Sequence, residues 1–207
     1  MRVLLAILVS VISFSKLSAT IQYPDKIIIN NKEYDLLTFP LEKYFEKHES
    51  KRPDEKYSST ALWRGYVATF EIIDNQLFVE DIKIEVSTGK WKSIINKILP
   101  TRKDRLVTWY SGFIILGHGE FVDLHERGNT YENYVLIEIK NGTSIQSKDF
   151  DYKTYEVFKT RQFEVYKQSK DYIKEVKKLK KQDWDQKEID DILRYSIVEY
   201  TDKFLVE

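Results

Sequence analysis

ALWRGYVATFEIIDNQLFVEDIKIEV, residues 61–86, decides the fold. On both sides of Asp74-Asn75 apolar and polar residues alternate with a period of two, the pattern of a half-buried strand. Tyr66, Ala68, Phe70 and Ile72 fall on one face, and Leu77, Val79 and Ile82 supply partners across the turn. Asp-Asn is sound tight-turn chemistry, so the stretch predicts an antiparallel hairpin. The period slips near Asp81, where a bulge is expected.

Working outward, Lys26 to Asn30 and Glu33 to Leu37 read as two short strands around Asn30-Asn31. Pro40 opens a short helix, PLEKYFEKH, with Leu41, Tyr44 and Phe45 on one face. TGKWKSIINKILP predicts a helix over about 89–99, with Trp91, Ile94, Ile95, Ile98 and Leu99 as its apolar set. Leu106 to Leu116 and Glu120 to Glu126 read as strands flanking Gly117-His118-Gly119. Tyr134 to Lys140 is a strong strand, and Asn141-Gly142 returns the chain through Thr143 to Ser147.

From about residue 151 the chain has neither Gly nor Pro. Tyr155, Phe158, Val165, Tyr172, Val176 and Leu179 fit a long helix with a narrow apolar seam. After an interruption at Gln182 to Asp185, Ile189, Leu193, Ile197, Tyr200 and Phe204 line a second helix. Asp185 and Glu188 are spaced as a capping box. The fold class is therefore α+β: a mainly antiparallel sheet of about six strands with short helices, then a C-terminal helical hairpin. Residues 20–150 form the sheet domain and 151–207 the hairpin.

The first 19 residues have the layout of a secretory signal peptide. Arg2 precedes a 12-residue apolar run, Val3 to Phe14, and small residues follow. The run is short for a spanning helix, and the other reading is an uncleaved N-terminal anchor. Removing Arg2 and Lys16 leaves 31 basic against 33 acidic residues, a net charge of about −2. A chain of balanced charge is not a globally basic nucleic-acid binder, so no nucleic-acid partner is expected. The chain has no cysteine, which removes disulfides, thiol nucleophiles and Cys zinc sites, and an exported protein of this kind must hold together by its core. With 42% hydrophobic and 14% aromatic residues it has the material for one. The expected location is the periplasm or the extracellular space.

Two constellations carry chemistry. In Trp63-Arg64-Gly65-Tyr66, continued as a strand, Arg64 and Tyr66 would share a face, where a guanidinium fork and a ring can hold an anionic or cyclic ligand. Alternatively Arg64 is structural, paired with an acid such as Glu71 or Asp81, and Gly65 makes room for the Trp63 ring. The second constellation is LGHGEFVDLHERGNTYE, residues 116–132. It gathers His118, Glu120, His125 and Glu126, with Asp123 and Glu132, groups suited to proton transfer or a divalent metal. Their spacing matches no metal motif, and solvated loop and edge residues are the alternative. No metal and no cofactor is expected. No GxSxG, SxxK, GxGxxG or P-loop occurs. The lysine run KEVKKLKK, residues 174–181, suits a helix C-terminus as well as an anionic surface.

PLEKYF (40–45), STALWRGYVATFEI (59–72), LFVEDI (77–82), WYSGFIILGHGE (109–120) and TYENYVLIEIKNG (130–142) together resemble a group of uncharacterised bacterial proteins with this order of pieces. The resemblance covers roughly residues 34–142. It implies no activity. It implies only that Trp63, Arg64, Gly65, Trp109 and Gly112 belong to one core or one surface, with Trp63 and Trp109 as paired core aromatics and Arg64 facing outward.

The function expected on these grounds is an exported, non-enzymatic binding or interaction protein with a protein or small-molecule ligand, Arg64 and Tyr66 being its contact residues. A membrane enters only through export or an uncleaved anchor. The competing expectation is a hydrolase or metal-dependent enzyme that uses the His118/His125 region near Arg64.

Overall fold

A computed structural model describes residues 22–125 and 128–206. The proposed leader and Glu126 lie outside the described residues. Eight strands form one sheet: β1 (Asp25–Ile29), β2 (Lys32–Leu36), β3 (Val67–Ile73), β4 (Gln76–Ser87), β5 (Lys90–Ser93), β6 (Gly112–His125), β7 (Gly128–Lys140) and β8 (Thr143–Asp151). Helices α1 (Pro40–Phe45) and α2 (Ile95–Ile98) lie between strands. Helices α3 (Tyr152–Tyr166), α4 (Lys170–Lys180), α5 (Gln186–Tyr195) and α6 (Ile197–Tyr200) follow the last strand. The expected α+β class, a mostly antiparallel sheet with C-terminal helices, is what the chain adopts.

The sheet is two modules joined twice. The first has the order β2-β1-β3-β4-β5, in which β1 and β3 run parallel and the other pairs antiparallel. The second is the meander β6-β7-β8. They meet where Asp35 and Leu36 of β2 face Gly117 and Leu116 of β6, and again where Gln76 of β4 faces Thr143 of β8. The pairings therefore run in a closed circuit of seven strands, with β5 outside it as a free edge.

Turn chemistry sets the hairpins. Asn30-Asn31, Asp74-Asn75 and Asn141-Gly142 all take positive φ, the left-handed conformation of tight hairpin turns. The bulge foreseen near Asp81 is present: Thr69 faces Asp81 while Phe70 faces Val79, so Glu80 is the extra residue.

Alternation fills the circuit. Ile27, Leu36, Tyr66, Ala68, Phe70, Leu77, Val79 and Ile82 point inward from the first module, and Ile114, Leu116, Ile137 and Ile139 from the second. Leu41 and Phe45 of α1 and Ile95, Ile98 and Leu99 around α2 pack into the same core. The opposite face of the second module is also apolar. Phe113, Ile115, Tyr134 and Leu136 pack against Tyr155, Phe158 and Phe163 of α3, Ile189 and Leu193 of α5, and Ile197. The C-terminal helices thus lie on the outside of the meander. The fully buried Gln162 ties the tail down, donating to the Lys203 carbonyl at 2.8 Å and accepting from the Leu205 N–H at 2.9 Å.

Several expectations are corrected. The helix expected over 89–99 is strand in its first half. Gly89 turns the chain at φ +71, Glu85 accepts its N–H at 2.6 Å, and Lys90–Ser93 returns along β4, leaving only the single turn α2. β3 begins at Val67 rather than Ala61, and β6 begins at Gly112 rather than Leu106. The meander strands are also longer than expected, with Gly117-His118-Gly119 inside β6. The long C-terminal helix is cut after Tyr166, because Ser169 caps a new helix by accepting the Tyr172 N–H at 3.1 Å. The second half of the expected hairpin starts as read, with the Asp185/Glu188 capping box in place. Among the described residues no helix is long and apolar enough to cross a membrane.

Candidate functional site

Residues 59–66 are not strand. The Leu62 N–H donates to the Ser59 carbonyl at 3.0 Å, and the Gly65 N–H donates to the Leu62 carbonyl at 2.9 Å. These are two tight turns in succession. Gly65 sits at φ +75, and a Cβ there would lie 3.2 Å from the Ser58 hydroxyl oxygen. Gly65 is required by this left-handed turn and not, as expected, to make room for a Trp ring. The alternation nonetheless holds through the turns, and Arg64 and Tyr66 both point inward while Trp63 points out.

Arg64 is 4% exposed and Asp25 is 0% exposed. The guanidinium donates through one Nη to Asp25 Oδ1 at 3.1 Å and to the Tyr23 carbonyl at 3.0 Å. Its plane lies 3.8 Å from the centre of the Phe39 ring. Asp25 Oδ1 also accepts the Ala68 N–H at 2.9 Å. Asp25 Oδ2 and Arg64 Nε are buried with no hydrogen-bond partner. Burial pushes the Asp25 carboxyl up to about 6, with the Arg64 charge pulling the other way. Tyr66 is fully buried and donates to Glu42 Oε1 at 2.7 Å, and both Glu42 oxygens accept from Arg52 Nη1, at 3.1 and 3.0 Å. Burial raises the Tyr66 phenol well above its ordinary range.

This assembly is a clamp. It holds the chain before β1 against the turn before β3, which fixes where the parallel pair β1-β3 begins. Arg64 is the structural arginine weighed above, but its acid is Asp25, 39 residues upstream, and not Glu71 or Asp81. Neither Arg64 nor Tyr66 offers a polar group to solvent in this arrangement, and Arg64 does not face outward.

His118 is half-buried on β6, with its ring 6.2 Å from Tyr34 of β2. Glu120 is exposed. The β6 backbone continues through His125, whose side chain is outside the described set, as is Glu126. Arg64 touches Asp25, Tyr23, Phe39, Trp63 and Tyr66, and His118 is not among its partners. Among the described residues no three His, Cys, Asp or Glu side chains are grouped to hold a metal ion.

The clamp's outer side carries what the sequence reading missed. Trp63 is 54% exposed, Tyr23 46% and Trp91 37%. The Tyr23 and Trp91 rings meet edge to face at 5.8 Å. The Tyr23 N–H donates to the Ala61 carbonyl at 2.9 Å, and Arg64, which holds the Tyr23 carbonyl, lies 5.8 Å from the Trp63 ring. Three large rings from three separate segments are thus exposed beside the start of β1, Tyr23 and Trp91 in ring contact and Trp63 on the turn whose Ala61 carbonyl holds Tyr23. Trp109, the expected partner of Trp63, instead packs on Tyr44 at 4.9 Å with its Nε1 buried and unpartnered. A core position for Trp63, paired with Trp109, is what the resemblance implies, and the structure exposes it instead. The turn signal in Ser58-Ser59-Thr60 pointed to its exposure.

A shallow depression of about 290 Å³ lies between α3 and α5, lined by Glu156, Lys159, Thr160, Asp191, Arg194 and Tyr195. Its cations are already matched, Lys159 with Glu156 at 2.6 Å and Arg194 with Asp191 at 3.1 Å. Compared with known proteins, the chain matches no family model, no curated protein and no solved structure.

Proposed function

We propose that this chain is an exported binding protein that works through its outer surface and not by catalysis. The observation that carries the reading is the rim of Tyr23, Trp63 and Trp91. Large aromatic rings are the side chains that dominate binding energy at contact surfaces, and leaving three of them in water is unfavourable unless something covers them. The Asp25–Arg64 clamp holds the backbone of Tyr23 and the turn that carries Trp63, and Trp91 packs on the Tyr23 ring, so less ordering is left to pay on contact. The circuit's interior is packed with apolar side chains, which leaves binding to the outside. The contact residues are therefore Tyr23, Trp63 and Trp91, with Arg64 and Tyr66 as the support under them.

Radical oxidation of the chain in intact cells tests this. Trp63 and Trp91 are expected to oxidise several-fold more slowly in cells than in the purified chain, while Trp184, also exposed at 39%, keeps the same rate in both. Equal oxidation of Trp63 and Trp91 in both settings refutes an occupied rim.

A further inference from the structure

The rim has features that select among occupants. Trp91 stands on β5 between Lys90 and Lys92, both exposed. Among the described residues neither lysine is in an ion pair. Alternate side chains leave opposite faces of β5, and because β5 is the free edge of the sheet both faces reach solvent beside that edge. Lysine stems are long enough to lie along apolar surface and carry their charge to the layer a neighbouring ring enters. Val86, exposed on the adjoining end of β4, extends the apolar surface. Trp and Tyr rings flanked by Lys are the side chains that settle at the headgroup level of a bilayer.

The chain outside the structure arrives at this rim. Gln22, the first described residue, donates its side-chain amide to the Thr60 carbonyl at 2.7 Å, and Tyr23 follows in the rim itself. The apolar run ends at Phe14, so seven residues, Ser15 to Ile21, separate it from Gln22. Fully extended they span at most about 25 Å. Whenever the run is in a bilayer, the rim is the part of the described chain tethered to that bilayer's surface.

We propose that the rim of Tyr23, Trp63 and Trp91, with Lys90 and Lys92, rests on an anionic lipid bilayer. The rings enter the headgroup layer, and the two lysines face the phosphates. This inference builds on the surface-binding reading above and names the occupant of the same rim.

The test uses the full chain as purified from the producing cell, mixed with vesicles of phosphatidylglycerol and phosphatidylcholine whose acyl chains are brominated close to the headgroup. Bromine quenches a Trp only on near contact. Tryptophan emission is expected to be quenched in the wild type, and the quenched fraction is expected to disappear in W63F/W91F, where Trp109 and Trp184 remain. In K90Q/K92Q the lipid concentration for half-maximal quenching is expected to rise roughly 30-fold, since each lysine near an anionic surface contributes about fivefold. No quenching, or quenching that persists in W63F/W91F, overturns the proposal. So does equal quenching in pure phosphatidylcholine vesicles, which removes the lysines' role. Trp63 and Trp91 protected in cells but unquenched by these vesicles would leave the rim as a contact surface and exclude lipid as its occupant, so the two readings fail separately.

Discussion

Replacing Arg64 by Met isolates the clamp. Met keeps much of the side chain's length and apolar contact but leaves Asp25, 0% exposed, without its counter-ion. Breaking a buried pair by removing one partner costs about 3–5 kcal/mol, because a charge stays buried uncompensated. The bond to the Tyr23 carbonyl adds about 1 kcal/mol to what is lost. We therefore expect Arg64→Met to destabilise the protein by about 4–6 kcal/mol at pH 7.5.

The loss depends on pH, and its sign follows from Asp25. Burial raises this carboxyl from 3.8 in the unfolded chain to about 6 in the folded one. The folded state therefore holds a proton that the unfolded state has released between those values. Stability from this group rises as pH falls through 6 and levels off below about 4, a gain of about 3 kcal/mol at 1.36 kcal/mol for each pH unit of the shift. Without Arg64 the carboxyl climbs further, so Arg64→Met is costly at pH 7.5 and costs only about 1–2 kcal/mol at pH 5, where Asp25 is neutral. Asp25→Asn flattens the dependence between pH 4 and 6. The double variant D25N/R64M recovers most of what R64M loses at pH 7.5, since it removes the buried charge altogether. Urea unfolding of the four proteins at both pH values reads each quantity. Equal destabilisation by R64M at pH 5 and 7.5, or a loss below about 1 kcal/mol at pH 7.5, would falsify the clamp.

Two further substitutions probe the frame. Gly117→Ala places a Cβ 2.4 Å from the Tyr131 ring, whose hydroxyl donates to Asp35 at 2.9 Å across the β2–β6 junction. It should cost about 2–3 kcal/mol by overpacking, read as a lower unfolding midpoint. Asp185→Ala removes the cap that accepts the Glu188 N–H at 2.8 Å and should cost about 1 kcal/mol, seen first as faster amide exchange in the opening turn of α5.

Local chemistry was legible in the sequence, and long-range pairing was not. The turns at Asp74-Asn75 and Asn141-Gly142, the bulge beside Asp81 and the Asp185 cap each depend on a few adjacent residues, and each was readable from them. The inward set Tyr66, Ala68 and Phe70 was readable too, because alternation survives even where the strand's first residues are turn. Trp91 misled because Ile94, Ile95, Ile98 and Leu99 follow it at helical spacing, while the deciding contact is a Glu85 carboxylate on the Gly89 amide. Arg64 misled because its partner lies in β1, which pairs parallel with the strand that follows Arg64, and parallel pairing leaves no mark in adjacent sequence. The rim was invisible for the same reason: Tyr23, Trp63 and Trp91 meet only after three separate segments are folded together.

The closed circuit of strands dictates an order of assembly. The first module is complete in sequence by Ser93, yet at that point β2 and β4 each present an unsatisfied border. Residues 105–107 cover part of the β4 border, where Phe78 bridges Leu106, and the rest is sealed only when residues 116–117 and 143 have been made. A chain emerging N-terminus first therefore carries two sticky margins through about fifty residues of further synthesis. The meander then closes both at once, and the C-terminal helices lock its outer side last. Shortening the chain anywhere before Thr143 leaves a ring with a gap, so the smallest piece able to close the circuit reaches residue 143, just inside the final third of the protein.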